Sequence, residues 1–384
     1  MANEFFIPTS VITGAGAVEK CAEKLSGFGS KALIVCGKSA VKCGIVDKIQ
    51  LMLTDRGIGS AVFDRVSGEP TDLTISDGLA CYQENACDFL IGVGGGSPLD
   101  SMKAIAMMSV YPGKLADYMG KEIDKPLPPM AAIPTTAGTG SEATQFTIIT
   151  DTASGVKMLL KGHSLMPSLA VVDPELSFST PKSVTVSTGL DALTHAVEAY
   201  TSRKAQPLTD VLALSAVRRI FGNLLQAVKD GSDFEARQEM AIAALEAGMA
   251  FNNSSVTLVH GMSRPIGALF HVPHGISNAM LLSVCLRFAV SGTPERFAEL
   301  GRAIGAAGTD TSDALAADSF LDAVDKLCGD CEVPTLEAYG IDRKSFFDQI
   351  PKMTQDALIS GSPGNTRRSP SAEDIEELYR ALWK

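Results

Sequence analysis

The sequence predicts an α/β domain followed by an all-helical domain. Short apolar runs alternate with amphipathic helical segments as far as Pro174, and strand patterns almost disappear after it. Glycine follows the same division, since 21 of the 35 glycines lie in the first half. Such alternation is typical of a mostly parallel sheet with helices on both faces. A chain of 384 residues is long enough for two domains, and we place them at residues 1–178 and 179–384.

Each predicted strand of the first domain is a short apolar run between turn signals. The predicted strands are residues 32–35, 61–63, 88–93, 130–133, 146–149 and 169–172. The helices between them are predicted at residues 41–53, 71–84 and 97–108, where apolar residues recur at helical spacing. Because the strand runs are continuously apolar, we expect strands that are buried on both faces of the sheet.

The second domain is predicted to consist of helices. Long stretches with a helical period are found at residues 183–202, 208–228, 234–251, 278–289, 316–327 and 373–382. Residues 360–371 contain two glycines and two prolines, and this composition predicts a loop before the last helix.

Composition and charge exclude several classes of protein. The formal net charge is −11 and no basic stripe is present, which argues against a nucleic-acid partner. The N-terminus lacks the basic and apolar regions of a signal peptide, and no uninterrupted apolar run approaches the length of about 18 residues that indicates a membrane span. The eight cysteines are scattered, with one lone Cys-x-x-Cys pair at Cys328 and Cys331, which is not a disulfide framework. We expect a cytoplasmic protein without a membrane partner.

Two loops that follow predicted strands have the composition of a phosphate-binding site. Gly92-Val-Gly-Gly-Gly-Ser97 ends a strand and opens a helix, the arrangement in which backbone N–H groups and a helix N-terminus hold phosphate. Thr135-Thr-Ala-Gly-Thr-Gly-Ser141 is a second loop, rich in hydroxyl groups. Ligands of open α/β sheets bind at the loops that follow the strands. The glycine motif alone fits equally well a tight turn that binds no ligand.

Histidine is scarce, and four of the five histidines lie between residues 195 and 274. Asp191 and His195 are spaced i, i+4, so their side chains lie on one face of a helix. With His260 and a third histidine, this set suits Fe²⁺, Zn²⁺ or a related divalent ion better than Mg²⁺, which prefers oxygen ligands. A lone histidine is more often structural, but the cluster favours a metal site. The residues alone do not decide whether His271 or His274 completes it.

Four motifs occur in an order that resembles one known family. They are Gly94-Gly-Gly-Ser-Pro-Leu-Asp100 with Lys103, Pro134-Thr-Thr-Ala-Gly-Thr-Gly-Ser-Glu142, Gly189-Leu-Asp-Ala-Leu-Thr-His195 with Glu198, and His260 followed by Pro273-His-Gly275. Together they are similar to the iron-containing (group III, metal-dependent) alcohol dehydrogenases, and the resemblance extends over essentially the whole chain. Each motif alone is weak, whereas their conjunction is highly specific.

The resemblance implies a dehydroquinate synthase-like architecture, with an N-terminal dinucleotide-binding domain and an all-helical C-terminal domain for metal and substrate. It implies an NAD(P)-linked oxidoreductase that interconverts a short-chain primary alcohol and its aldehyde, acting as an aldehyde reductase. The alternative on the same architecture is a lyase or cyclase that uses NAD transiently. Family members are commonly dimers or larger, so we expect a homo-oligomer.

The resemblance also assigns site residues by position. The metal ligands would be Asp191, His195, His260 and His274, holding Fe²⁺, with Zn²⁺ as the alternative ion. His271 would then lie beside the substrate pocket and could relay a proton. The cofactor NAD(P)H would contact Gly94, Gly95, Gly96, Ser97, Asp100, Thr135, Thr136, Thr139 and Lys157. For Lys157 the alternative is a solvated surface lysine.

One departure from the family concerns the substrate. Many members have a second histidine four residues after the ligand that corresponds to His260, where this chain has Arg264. Arginine stays charged and cannot shuttle protons, but it binds carboxylate, sulfonate or phosphonate groups through paired hydrogen bonds. We therefore hypothesise a short aldehyde with a sulfo, phosphono or carboxy group. The alternative is that Arg264 pairs with an internal carboxylate and has no role towards the substrate.

A second departure concerns the cofactor. NAD-preferring members often carry an acidic residue after the first strand of the nucleotide domain, where this chain has Gly37. Lys38, Ser39 and Lys42 follow it and could meet a phosphate. We therefore expect Gly37 and Ser39 at the cofactor and acceptance of NADP(H). The alternative is that Gly37 is only a turn residue and that NAD(H) dominates.

Overall fold

The computed structural model describes residues 2–383, which form two compact units. One unit contains residues 6–180 and is α/β, and the other contains residues 181–383 together with residues 2–5 and is helical. Gln206 Nε2 donates a hydrogen bond to the carbonyl oxygen of Glu4 at 3.0 Å, which ties the N-terminal residues to the helical unit. The predicted fold class, a parallel sheet with flanking helices followed by a helical part, is confirmed.

The α/β unit is built on a parallel sheet. The strands of this unit are β1 (Ser10–Thr13), β2 (Lys31–Cys36), β3 (Gly59–Phe63), β4 (Phe89–Gly94), β5 (Met130–Pro134), β6 (Phe146–Thr150), β7 (Lys157–Lys161) and β8 (Leu169–Val172). The sheet has the order β1-β8-β5-β4-β2-β3 and all its pairs are parallel. The chain runs from β2 to β3 on one side and then to β4 on the other, so the direction of winding reverses between β2 and β4. Open α/β sheets bind ligands at such a reversal, beyond the carboxyl ends of the strands.

Helices cover both faces of this sheet. They are α1 (Ala17–Leu25), α2 (Lys38–Lys42), α3 (Ile45–Thr54), α4 (Asp72–Glu84) and α5 (Gly96–Met108). Alternate residues of β2 serve opposite cores, since Leu33 and Val35 pack with side chains of α4 and α5. Ala32 and Ile34 pack instead with side chains of α1 and α3. This burial on both faces is the physical reason for the continuous apolar runs of the strands.

Two predicted elements differ from those observed. The predicted helix over residues 41–53 is split into α2 and α3 at Gly44, whose φ of 73° is a left-handed conformation that interrupts a helix. The predicted strand over residues 146–149 does not join the parallel sheet, because β6 pairs antiparallel with β7 in a separate hairpin. An apolar run indicates that a strand is buried, but it does not indicate which strand it pairs with.

Lys103 of α5 is fully buried. Its side chain forms hydrogen bonds that hold the segment between β5 and β6 against that helix. Its ammonium group donates to Ser141 Oγ at 3.1 Å, to Thr144 O at 2.9 Å and to Thr144 Oγ1 at 3.0 Å. Burial lowers the pKa of Lys103 to about 8, and the charge of Asp100 acts in the opposite direction. Asp100 accepts hydrogen bonds from Ser141 Oγ at 2.7 Å and from Ile148 N at 3.0 Å. This buried network holds the start of α5 against the loop that follows β5.

The second unit consists of helices packed on one another. They are α6 (Lys182–Thr201), α7 (Pro207–Lys229), α8 (Phe234–Ser254), α9 (Leu258–Phe270), α10 (His274–Ala289), α11 (Pro294–Ala303), α12 (Asp313–Asp330), α13 (Arg343–Ile359) and α14 (Ala372–Ala381). The sequence does not predict α9, α11 or α13. In α9, which carries His260 and Arg264, the residues Gly261, Pro265 and Gly267 disfavour a helix and hide its pattern. Helices α6, α9 and α10 pack against one another and carry the clustered histidines.

Two segments of the helical unit are long and apolar enough to span a membrane by length and composition alone. They are Pro207–Lys229, which is α7, and His274–Gly292, which includes α10. More than half of the second segment is buried within the protein. Packing in the core of the helical unit accounts for its apolar character.

The cysteines are free thiols, including the pair Cys328 and Cys331 near the end of α12. Burial raises the pKa of Cys328 to about 12 and that of Cys331 to about 11. A raised pKa leaves little of the reactive thiolate at neutral pH. These features fit a structural pair better than a redox pair.

Candidate functional site

Three potential metal ligands meet inside the helical unit. Asp191 and His195 lie one turn apart on α6, and His260 lies in the first turn of α9. All three side chains are buried. One ligand atom from each lies within 4.8 Å of the other two. The i, i+4 spacing on α6 therefore directs a carboxylate and an imidazole to a common point.

His274 and Asn278 approach the same point from α10. His274 is the first residue of α10, and its Nε2 lies 3.7 Å from Asp191 Oδ1. Asn278, one turn later, places its Nδ2 2.7 Å from Asp191 Oδ1 and 3.2 Å from Nε2 of both His260 and His274. An amide nitrogen has only two protons and cannot donate to three acceptors at once. The cluster therefore offers more acceptor atoms at one point than the amide can satisfy, an arrangement that fits a cation.

A glycine permits the close approach of α6 and α10. Gly275 follows His274, and a Cβ atom at this position would collide with the carbonyl oxygen of Ser187 in α6. Any side chain at position 275 would therefore push the two helices apart. Because Asp191 lies one turn after Ser187 on α6, this close approach brings Asp191 within reach of His274 and Asn278.

Asp191 is held ionised, whereas the pKa values of the two rings nearest its carboxylate shift in opposite directions. Burial acts to lower the pKa of His260, but Glu198 and Asp191 outweigh it and raise that pKa. Burial lowers the pKa of His274. Burial acts to raise the pKa of Asp191, but charge interactions with His195 and His274 outweigh it and hold that pKa well below its ordinary value. Loss of hydration is the main cause of the lowered pKa of His274, and repulsion from His260 and Arg264 adds to it. Divalent metal ions bind carboxylates and neutral imidazoles, so a bound metal ion would favour the neutral ring of His260 and its uptake would release a proton.

Ring stacking holds His195 in a defined orientation. The centroid of its ring lies 4.2 Å from that of Phe251, with 16° between the planes. The His195 ring also stacks on the ring of His260, with 4.5 Å between the centroids and 21° between the planes. Ligand side chains that are fixed by packing need little reorganisation to bind a metal ion.

A buried carboxylate lies behind His260. Glu198, in the turn after His195 on α6, is fully buried, and its Oε2 lies 2.6 Å from His260 Nδ1. Its Oε1 accepts hydrogen bonds from Thr257 Oγ1 at 2.9 Å and from Val259 N at 2.7 Å. Glu198 thus contacts one nitrogen of the imidazole, while the other nitrogen faces the ligand cluster.

Arg264 lies one turn after His260 on α9. Its Nη1 donates a hydrogen bond to Ser362 Oγ at 3.1 Å. No carboxylate among residues 2–383 forms an ion pair with the guanidinium, so the internal pairing considered as an alternative is not found there. Burial lowers the pKa of Arg264, and the charge of Glu198 opposes this shift. Since an arginine remains protonated in proteins, the site contains a half-buried cation beside the ligand cluster.

His271 is exposed and follows α9 directly. Its φ of 55° is left-handed, a conformation that is uncommon for a residue other than glycine. Within residues 2–383, no hydrogen bond or ring contact joins His271 to the ligand cluster. Its expected place beside a substrate pocket stays a prediction.

In the α/β unit, the glycine-rich turn lies between β4 and α5. Gly94 ends β4 with a φ of 145°, Gly95 precedes α5, and Gly96 begins it. A Cβ atom at Gly95 would lie 3.4 Å from Thr136 Oγ1, and one at Gly96 would lie 3.0 Å from Thr139 Cγ2. The turn therefore packs closely against the hydroxyl-rich loop that follows β5. The first N–H groups of an α-helix have no partner within the helix, so this turn offers donors to an anion.

Gly37 and Ser39 lie at the same edge of the sheet. Gly37 directly follows β2, and Ser39 lies in the first turn of α2. Because β2 and β4 are adjacent and parallel, with Cys36 paired to Val93, Gly37 leaves the sheet beside the glycine-rich turn. The three loops predicted from the sequence thus leave neighbouring strands at one edge, where the winding of the sheet reverses.

Asp100 and Lys157 have partners within the α/β unit. The carboxylate oxygens of Asp100 accept hydrogen bonds from Ser141 Oγ, between β5 and β6, and from Ile148 N, within β6. Lys157 Nζ, on β7, forms an ion pair of 2.5 Å with Glu69 Oε1. Their contacts to a cofactor, which the family resemblance implies, stay predictions.

The sequence assigns no role to three residues that contact the cluster or Arg264. Asn278 and Glu198 each lie within about one helical turn of a ligand histidine, so helical spacing from those histidines is the signal that finds them. Ser362, which bonds Arg264, lies in a loop 98 residues further along the chain, and no local pattern connects the two.

Comparison with known proteins covers both units. The family model of iron-containing alcohol dehydrogenase matches residues 8–174, and that of the C-terminal part of the Fe-containing alcohol dehydrogenase family matches residues 185–383. The 1,3-propanediol dehydrogenase of Klebsiella pneumoniae is 38% identical over 385 residues, which cover 99% of this chain and 98% of that protein. A crystal structure of a 1,3-propanediol oxidoreductase has a TM-score of 0.95 at 38% identity, with 100% of each chain covered. A sulfoacetaldehyde reductase from Bifidobacterium kashiwanohense, in complex with NAD⁺, has a TM-score of 0.87 at 28% identity, covering 100% of this chain and 99% of that one.

These matches extend over nearly the whole chain. The first family model spans the glycine-rich turn, and the second spans the ligand cluster and Arg264. The chain therefore belongs to the iron-containing alcohol dehydrogenase family.

Proposed function

We propose that this protein is a metal-dependent, NAD(P)-linked aldehyde reductase that also catalyses the reverse oxidation of the alcohol. Membership of the iron-containing alcohol dehydrogenase family makes it an oxidoreductase of alcohols and aldehydes. The observation that carries the proposal is the convergence of acceptor atoms from Asp191, His260 and His274 on one point near Asn278 Nδ2.

We assign the metal to Asp191, His195, His260 and His274. One carboxylate and three imidazoles suit Fe²⁺, with Zn²⁺ as the alternative. Asn278 Nδ2 faces three acceptor atoms with only two protons, which fits a polar cluster that is completed by an added ion. When bound, the divalent ion supplies Lewis-acid polarisation of a carbonyl group, and the nicotinamide supplies a hydride.

We assign the cofactor to the carboxyl edge of the parallel sheet. The glycine-rich turn has no side chains that would keep a pyrophosphate away from the backbone, and the loop after β5 supplies hydroxyl groups beside it. The proposed contacts are Gly37, Ser39, Gly94, Gly95, Gly96, Ser97, Thr135, Thr136, Thr139 and Lys157, with Asp100 at the start of α5.

Reduction converts the aldehyde, NAD(P)H and a proton into the alcohol and NAD(P)⁺. The hydride adds to the carbonyl carbon, and the proton adds to the carbonyl oxygen. We propose His271 for the proton relay, because it is an exposed imidazole at the end of the helix that carries His260 and Arg264. Imidazole exchanges protons near neutral pH, whereas the guanidinium of Arg264 does not.

We propose that the physiological aldehyde is short and carries an anionic group. Arg264 lies one turn from His260, a separation of about 6 Å along the helix axis. A partly buried cation is costly without a counterion, so an anionic substrate would complete this site. Guanidinium forms paired hydrogen bonds with sulfonate, phosphonate and carboxylate groups. Sulfoacetaldehyde is such an aldehyde, and a sulfoacetaldehyde reductase is among the similar structures.

A reductase assay tests this function. Protein reconstituted with Fe²⁺ or Zn²⁺ is expected to oxidise NADH or NADPH in the presence of a short aldehyde, and to form an equal amount of the alcohol. Chelation should abolish the activity, and added metal should restore it. In the proposed mechanism only the metal ion polarises the carbonyl group, and no side chain replaces it. Nicotinamide absorbance measures the oxidation of NAD(P)H, and product analysis measures the alcohol that is formed. Full activity after chelation would contradict the metal assignment, and turnover without net oxidation of NAD(P)H would favour the lyase alternative.

We expect the protein to accept NADPH. Gly37 offers no carboxylate to repel a 2′-phosphate, and the exposed Lys38 and Lys42 of α2 form no ion pairs in residues 2–383. Lys38→Gln is expected to raise the KM for NADPH severalfold and to leave the KM for NADH unchanged. Lys20→Gln, at an exposed lysine of α1, is the matched control and should change neither value. Steady-state kinetics with both cofactors measure this, and a strong preference of the wild type for NADH would contradict it.

We also propose a homodimer or larger homo-oligomer in the cytoplasm. β1 is an edge strand of the parallel sheet, and an open edge can pair with a second copy. Free cysteines fit a reducing compartment.

A further inference from the structure

Glu198 connects the ligand cluster to the start of α9. One of its carboxylate oxygens, Oε1, accepts from Thr257 Oγ1 and from Val259 N, and His260 N lies 3.4 Å from the same oxygen. Thr257 immediately precedes α9, and Val259 and His260 lie in its first turn. The other oxygen, Oε2, is directed at the ring of His260. A single buried side chain thus contacts both the backbone and the imidazole of the same helical turn.

The hydrogen bonds at Oε1 determine how the carboxylate meets the imidazole. Because donors of α9 occupy Oε1, Oε2 is the oxygen that faces His260 Nδ1, at 2.6 Å. A carboxylate oxygen only accepts, so the proton of a neutral His260 ring lies on Nδ1. Its Nε2 then carries a lone pair, and Nε2 is the nitrogen that faces Asp191 Oδ1, at 3.6 Å. The contact presents His260 to the cluster in the form that a metal ion binds.

We propose that Glu198 is a positioning residue that sets the tautomer and orientation of His260 and thereby the metal affinity of the cluster. The effect on affinity rests on the proposed metal-dependent function. The tautomer is a property of the chain itself and can be measured without a metal ion.

A purely structural role is the competing explanation. A carboxylate at the N-terminal end of α9 stabilises the helix whatever the tautomer of His260. Glu198→Gln separates the two roles, because the amide oxygen of glutamine can take the place of Oε1 and keep the donors of α9. The NH₂ group then faces His260 Nδ1, which has to accept. The ring proton moves to Nε2, and the lone pair needed for the metal is lost.

Glu198→Gln is therefore expected to weaken Zn²⁺ binding by about 10- to 100-fold, the range found when partners of ligand histidines are removed. The affinity is measured by competition with a chelating indicator, using Zn²⁺ as the probe. The Tm of the metal-free variant should remain close to that of the wild type, because the contacts of α9 are kept.

Imidazole ¹⁵N NMR of the metal-free protein reads the tautomer directly. The chain has only five histidines, so a histidine-labelled sample gives few signals to assign. Glu198 and Asp191 outweigh the effect of burial and raise the pKa of His260, so the spectra are recorded at a pH high enough for its ring to be neutral. Under these conditions we expect Nε2 of His260 to be unprotonated in the wild type and protonated in Glu198→Gln. This measurement on the wild type needs no variant, so it remains decisive if Glu198→Gln folds poorly.

Glu246→Gln is the matched control. Glu246 is a half-buried glutamate of α8 that accepts a hydrogen bond from Ser215 Oγ at 3.0 Å and lies 3.3 Å from Arg219 Nε. This substitution should leave the Zn²⁺ affinity and the His260 tautomer unchanged. Unchanged Zn²⁺ affinity in Glu198→Gln, or a neutral His260 ring with its proton on Nε2 in the wild type, would overturn the proposal. A wild type that binds no Zn²⁺ would instead contradict the proposed function.

Discussion

Replacing His260 with alanine is expected to lower kcat/KM for aldehyde reduction by about a thousandfold or more. The substitution removes the imidazole whose Nε2 faces Asp191 and whose ring stacks on His195, so both a ligand and the packing of the cluster are lost. Lewis-acid polarisation of a carbonyl contributes several kcal/mol, and about 1.4 kcal/mol corresponds to a tenfold change in rate. Loss of the ion should therefore leave little activity.

Steady-state kinetics and metal analysis of the same preparations measure this effect. His163→Ala is the matched control, because His163 is an exposed histidine of the α/β unit that stacks on Phe6 with 3.8 Å between ring centroids. The control should keep the wild-type rate and metal content. Since His260 is buried, the Tm of each variant is recorded to separate loss of ligand from unfolding. A folded His260→Ala protein with full metal content and full rate would remove His260 from the metal site.

Replacing Arg264 with methionine is expected to lower kcat/KM for an anionic aldehyde by about 100-fold and to leave a neutral aldehyde unaffected. Truncating a partly buried charge that is paired with a substrate anion costs about 2–5 kcal/mol, and 1.4 kcal/mol is tenfold. Methionine keeps much of the volume of the side chain and removes only its charge and donors. A neutral substrate does not use those groups, so its kcat/KM reports any general damage to the site.

Sulfoacetaldehyde and 3,3-dimethylbutanal are suitable paired substrates, because a tert-butyl group replaces a sulfonate at similar size. We expect the wild type to prefer the sulfonate and Arg264→Met to lose that preference. Arg287→Met is the matched control, since Arg287 is an exposed arginine of α10 that pairs with Asp322 and Asp325 of α12. Equal kcat/KM for the two aldehydes in the wild type, or equal losses for both in Arg264→Met, would refute an anionic substrate.

The features that could be predicted from the sequence are those that depend on the spacing of residues within one strand or helix. The core residues of β2 form one continuous apolar run, because both faces of the strand are covered, and such runs identify buried strands directly. Asp191 and His195 share one face of α6, so their spacing alone brings them together. Single motifs predict local sites, whereas the resemblance of four motifs to a family predicts the order of the two domains.

The features that could not be predicted depend on tertiary contacts or on unfavourable local composition. The sequence of α9 contains Gly261 and Pro265, and only packing on neighbouring helices makes it a helix. The antiparallel pairing of β6 with β7 depends on a partner strand that the apolar run of β6 does not specify. The contact between Arg264 and Ser362 joins distant parts of the chain, and no periodicity reports such a contact.

The close approach at Gly275 limits how the site can evolve. Gly275 has no side chain that could bind a ligand, yet any larger residue there would separate the helices that carry different ligands. A glycine without a functional group therefore limits which substitutions the ligand cluster can accept during evolution, because it fixes the spacing of α6 and α10. A mutant library that varies only the four ligands explores metal preference at a constant spacing of α6 and α10. A library that includes Gly275 changes that spacing before it changes any ligand.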